Sequence, residues 1–123
     1  MPVDEQPSRI VEVLEDPDEA EILEAVRELK EILGSAEPVN AIVVVYRDAV
    51  SALESSRDVC VALSELSNMG VDIVLVKESL DGRTIKPPCN VKFRIEPMDR
   101  AFSFKDSDLL IVHGSTCPYS VRR

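Results

Sequence analysis

The sequence predicts an α/β domain: a mainly parallel sheet of four to five strands with helices packed on it, and one antiparallel or edge strand. Three observations carry this. Residues 41–46, 71–76 and 109–112 are apolar runs rich in Val and Ile, interrupted only by Asp72, as strands covered on both faces are. The first two flank a helical segment. Strand, helix and strand then fill residues 41–77, a βαβ unit whose strands run parallel through a right-handed crossover. Ile22, Leu23, Val26, Leu29, Ile32 and Leu33 recur at the helical period and form one face.

Taken in order, residues 1–7 read as a flexible tail and 8–123 as a single domain, the size that 123 residues allow. Residues 9–15 fit two patterns. Ile10, Val11 and Leu14 match a helical face, whereas the β-branched content matches a strand; we read a strand. Asp16, Pro17 and Glu19 read as a helix start, with Asp16 as cap, Pro17 at the first helical position and Glu19 completing a capping box. That helix covers 17–33 and stops at Gly34. A second helix fills 49–69, with a break allowed at Ser55-Ser56, and Gly70 closes it. Residues 78–90 are a loop, turned at Asp81-Gly82 and stiffened by Pro87-Pro88. In 91–96, Val91, Phe93 and Ile95 alternate with Lys92, Arg94 and Glu96, a half-exposed strand at a sheet edge. Residues 101–104 read as a short strand or a buried loop, and 109–112 as a third buried strand. Pro118, Tyr119 and Val121 predict that the tail 113–123 packs on the domain, with Arg122-Arg123 near carboxylates of the first helix.

The composition bounds the setting. No apolar run approaches the roughly 20 residues of a membrane span. The opening Met-Pro-Val-Asp-Glu-Gln lacks a basic and then apolar leader, and the cysteine count of 3 is odd; both predict a cytoplasmic protein. Scarce Asn and Gln with 30% charged residues resemble a heat-adapted composition. The net charge of -9 is uneven. Residues 1–37 carry all of it, while residues 83–105 hold Arg83, Lys86, Lys92, Arg94, Arg100 and Lys105 against Glu96 and Asp99. Such asymmetry speaks to partners rather than to fold.

No catalytic or cofactor motif is present. The 4 glycines are too scattered for a dinucleotide or phosphate loop, so no cofactor is expected. Ligands of open parallel sheets bind beyond the carboxyl ends of the strands. Three segments meet there: Tyr46-Arg47-Asp48, Lys77-Glu78-Ser79 and His113-Gly114-Ser115-Thr116-Cys117. In that site Arg47 and Lys77 hold a small anion, Ser115 and Thr116 bind it in a small-residue turn, Asp48 and His113 move protons, and Cys117 is nucleophile. A metal would draw on His113, Cys117, Cys89 and Cys60, but no C-x-x-C or H-x-x-x-H pair supports one, and Cys60 is expected to face away from the loops. A Cys89–Cys117 disulfide is allowed.

Three functions follow as expectations. The first is a self-associating interaction or regulatory protein, whose acidic and basic segments meet between subunits of a homo-oligomer. The second is an enzyme or small-ligand protein working at the strand ends. The third, disfavoured by the net acidity, is nucleic-acid binding through 83–105 with Phe93, Phe102 and Phe104.

Overall fold

A computed structural model describes residues 9–16, 18–35, 40–82, 84–104 and 108–113. Five strands form one sheet: β1 (Ile10–Leu14), β2 (Ala41–Val45), β3 (Asp72–Val76), β4 (Arg94–Glu96) and β5 (Leu109–His113). Their order is β4-β3-β2-β1-β5, and every pairing is parallel. The α/β reading holds, and the edge strand at 94–96 is parallel rather than antiparallel. The chain steps outward from β1 to β4 and then returns to the other side of β1, so the strand order reverses between β1 and β5. No helix among the described residues is long and apolar enough to cross a membrane. The proposed tails 1–7 and 114–123 lie outside the described residues.

Alternation along each strand sorts the apolar side chains onto two faces. Ile10 and Leu14, Ala41, Val43 and Val45, and Ile73 and Leu75 face one core with the helices α1 (Glu19–Ser35), α2 (Ala49–Ser55) and α3 (Arg57–Asn68). Val11 and Val13, Val44 and Tyr46, and Val74 and Val76 face a second core with α4 (Met98–Ala101). Phe102 meets Tyr46 edge-on at 5.1 Å between ring centroids. Residues 101–104 are therefore the buried end of a helical turn at Ala101 and Phe102, followed by an exposed Ser103 and a half-buried Phe104. Phe102 belongs to the core, not to a base-stacking surface.

Local chemistry sets the helix ends. Asp18, not Asp16, caps α1: its Oδ1 accepts from the backbone N–H groups of Ala20 and Glu21 at 3.0 and 3.4 Å. A cap side chain reaches the second and third helical N–H groups, and only Asp18 precedes Glu19 directly. The helix also runs one residue past Gly34, to Ser35. The helix expected over 49–69 is broken at Ser56, which is extended and caps α3 by accepting from Val59 N–H at 3.1 Å. Gly70, with φ 95°, ends α3: its N–H reaches Ser67 O, and Val71 N–H reaches Leu66 O. This double bond needs a left-handed residue, which glycine adopts without a Cβ penalty.

Two strands depart in part from expectation: β4 lies at an edge as expected but is shorter, and β5, expected buried, is the other edge. In 91–96 only Arg94–Glu96 pairs, and Ile95, expected inward, is 44% exposed because the helical layer does not extend over β4. β5 is not a third buried strand. Leu109 is 51% exposed and the rest of β5 is half-buried. A loop, not a long helix, makes the β3–β4 crossover. Ile85 and Val91 bury themselves against α2 and α3, and Lys86 N–H donates to Glu54. Arg57 and Ser64 donate to the carbonyls of Pro88 and Asn90.

Candidate functional site at the carboxyl edge of the sheet

Parallel strands deliver all their carboxyl ends to one rim. Glu15 follows β1, Tyr46-Arg47-Asp48 follows β2, a 3-10 turn Lys77–Leu80 follows β3, and Pro97-Met98 follows β4. Two open clefts lie along this rim and meet at Glu78. One, of about 280 Å³, runs between Tyr46, Arg47, Asp48 and Ser51 on one side and Ser79 and Met98 on the other. The other, of about 580 Å³, is lined by the apolar Leu80, Ile95 and Pro97 together with Lys77 and Asp81.

Two non-glycine residues that line the clefts, Arg47 and Asp81, share a left-handed backbone; aspartate tolerates that region, whereas arginine visits it less readily. The φ of Arg47 is 54°, in a residue that has a Cβ. The conformation is fixed from across the groove, where Ser79 Oγ accepts the Arg47 N–H at 2.7 Å. The guanidinium leans back over the Tyr46 ring, 5.9 Å from its centroid. Its Nε lies 3.6 Å from the buried Glu15 carboxylate. Asp48 precedes α2 without capping it through its side chain. Glu78 Oε1 accepts Met98 N–H at 2.9 Å, tying the ends of β3 and β4 together.

A second group of polar atoms lies inside the helix-side core. Glu12 is 1% exposed in the middle of the interior strand β1, between β2 and β5. His113 Nε2 is 3.7 Å from Glu12 Oε1. That is beyond hydrogen-bond reach, and among the described residues Glu12 Oε2 and His113 Nε2 find no hydrogen-bond partner. The Glu12 carboxylate lifts the His113 imidazole above its ordinary value; burial opposes this, while Glu21 and Glu28 on α1 add to the rise.

Arg47 and Asp48, expected at one site, therefore share a cleft, and Lys77 stands in the adjoining one. His113 does not join them: β1 lies between β2 and β5, which sets their ends about 10 Å apart. Its imidazole faces Glu12 instead of Asp48. Ser115, Thr116 and Cys117 lie outside the described residues. Cys89 bonds to Cys60, with a Cα–Cα distance of 6.0 Å, which corrects the allowed Cys89–Cys117 pairing. The reason is the crossover loop, which folds back onto α3 and brings Cys89 to a buried Cys60 that was expected to face elsewhere. Among the described residues no three His, Cys, Asp or Glu are grouped to hold a metal ion.

Glu12, Glu15, Ser51 and Met98 were not singled out by the sequence reading. Glu12 did leave a signal: an acid inside Ile-Val-Glu-Val-Leu is buried if that strand is central. Within the basic segment two arginines meet carboxylates, and Arg83 and Lys105 lie outside the described residues. Arg94 pairs with Asp72 at 2.9 Å and with Glu96, and Arg100 lies 3.8 Å from Glu96. Compared with protein-family models, curated proteins and solved structures, the chain matches none of them.

Proposed function

We propose that the protein binds a small anionic molecule in the groove at the carboxyl edge of β2, β3 and β4. The observation that carries this is the left-handed Arg47 held by Ser79 from across the cleft. A side-chain-bearing residue in that region costs about 1–2 kcal/mol and persists where its surroundings over-determine it, commonly at ligand sites. Arg47 supplies positive charge to one cleft and Lys77 to the other. Asp48, Ser51 and Ser79 supply acceptors and hydroxyls, so the fitting ligand carries hydrogen-bond donors beside its anionic group. A cytoplasmic home in a heat-adapted host belongs to the same proposal, because intracellular disulfides persist in such hosts.

A thermal-shift screen with inorganic phosphate, citrate and a nucleoside monophosphate tests this, since a ligand of the native state raises its melting temperature. In Arg47→Gly the backbone strain is relieved while the cation is lost. The free variant is expected to melt no more than a few degrees from the parent, and the ligand shift should vanish. A shift of equal size in Arg47→Gly and in the parent would place the ligand elsewhere.

A second reading, self-association through β5, is favoured by one observation. Leu109–His113 is an uncharged edge apart from its terminal histidine, with Leu109 51% exposed, whereas β4 carries Arg94 and Glu96. Unprotected apolar edges pair with other strands. Size-exclusion chromatography with light scattering reads this directly, and a monomer at every protein concentration sinks it.

A further inference from the structure

The return strand β5 is tied to β1 by the parallel ladder and by one ionic contact at each end. At its start Arg9 Nη2 and Nε reach the Asp108 carboxylate at 2.6 and 3.2 Å. Leu109 N–H donates to Arg9 O at 2.8 Å. At its end His113 faces Glu12, and Glu15 N–H donates to His113 O at 3.0 Å. Between these ends β5 buries little: no residue in it falls in the fully buried class, whereas every residue of β1 does. Its ends therefore matter more than those of any interior strand.

The two end contacts differ in kind. The guanidinium of Arg9 keeps its charge at every pH the protein meets. The imidazole of His113 does not. Glu12 pairs with no other cation among the described residues. The groups facing His113 are Glu12 on β1 and Glu21 and Glu28 on α1, all acidic. Glu15, the residue just after β1, is engaged by Arg47. On β2 the side chains of the same face are Val43 and Val45. A neutral imidazole would leave Glu12 with its charge uncompensated at 1% exposure, a state that buried carboxylates escape by taking up a proton or by local opening.

We propose that Glu12 and His113 form a proton-operated latch that holds the carboxyl end of β5 on the sheet, closed while the imidazole is protonated and released when it is not. The sign is fixed by the direction of the His113 shift. Because the folded-state value lies above the ordinary 6.5, the latch contributes fully below about pH 6.5 and is lost as pH rises through the folded-state value. Release would free the Glu15 N–H from His113 O at the point where the strand order reverses, and does not depend on the groove binding a ligand.

His113 is the single histidine of the chain, so its imidazole proton resonances report one titration without assignment. The test uses the intact, oxidised protein and two measurements from pH 5 to 9. The first is the His113 midpoint, expected above 6.5 in the parent and lower in Glu12→Gln. The second is amide exchange of 110–113 against 73–76, corrected for intrinsic rates. Protection of the β5 amides is expected to fall through the same midpoint, about tenfold per unit by which the midpoint exceeds 6.5, while the β3 amides hold. In His113→Gln the dependence should disappear. A midpoint at or below 6.5, or β5 protection that follows β3 at every pH, overturns the latch.

Discussion

The two edges of the sheet solve one problem by different means. An edge strand leaves half of its backbone groups unpaired and has cover on fewer sides than an interior strand. β4 is short and charged. Arg94 bridges Asp72 on β3 and Glu96 on its own strand, all at the surface. Its security comes from upstream, where the loop before it is sewn to α3 by Cys60–Cys89 and by bonds from Arg57 and Ser64. β5 is longer and apolar, and its anchors are more buried. Asp108 is 2% exposed at its side chain, and Glu12 lies in the core. The difference teaches where each edge is vulnerable: β4 through a covalent bond some distance away, β5 through the ionic contacts at its own ends.

The largest expected effect follows from the covalent tie. Cys60 and Cys89 are 29 residues apart, so their bond removes chain entropy from the unfolded state worth about 3–4 kcal/mol. The double variant Cys60→Ala with Cys89→Ala should melt lower by roughly 10 °C or more in calorimetry. Its fastest-exchanging amides should lie in 84–96 rather than in β5. A melting temperature within a degree or two of the parent would mean that Ile85, Val91 and the loop's hydrogen bonds hold it without the disulfide.

The same substitution at the two edges gives the next effect. Arg9→Met removes the guanidinium that meets the buried Asp108 carboxylate through two nitrogens and is expected to cost about 2–3 kcal/mol. Arg94→Met breaks contacts between half-exposed groups and should cost about 0–1 kcal/mol. Urea unfolding of both variants measures the contrast, and equal costs would erase the distinction between the edges.

The smallest effect on stability is Leu109→Lys, expected within about 0.5 kcal/mol because the side chain is half in solvent. Its consequence lies in assembly. If β5 pairs between copies, the lysine should shift the light-scattering mass toward the monomer, as an edge charge does. An unchanged oligomer would move the interface away from β5.

The sequence by itself determined what is local. Helical period and strand alternation are properties of single segments, so α1, the Ser56 break, β2 and β3 were legible, as was the parallel βαβ unit that joins β2 to β3. The presence of Arg47, Asp48 and Lys77 at the strand ends follows from the same segments. Tertiary structure decided everything that depends on which segment lies beside which. Strand order is set by long-range pairing and packing, and it made Ile-Val-Glu-Val-Leu an interior strand covered on both sides, so that Glu12 became a buried acid. It made 109–113 an edge, so that His113 found Glu12 and not Asp48. The path of a loop without periodicity decided that Cys89 meets Cys60. A residue pattern records which side of its own segment is apolar; it carries no record of the neighbour that will cover it, and that neighbour chooses the charges, thiols and edges on which this protein's chemistry rests.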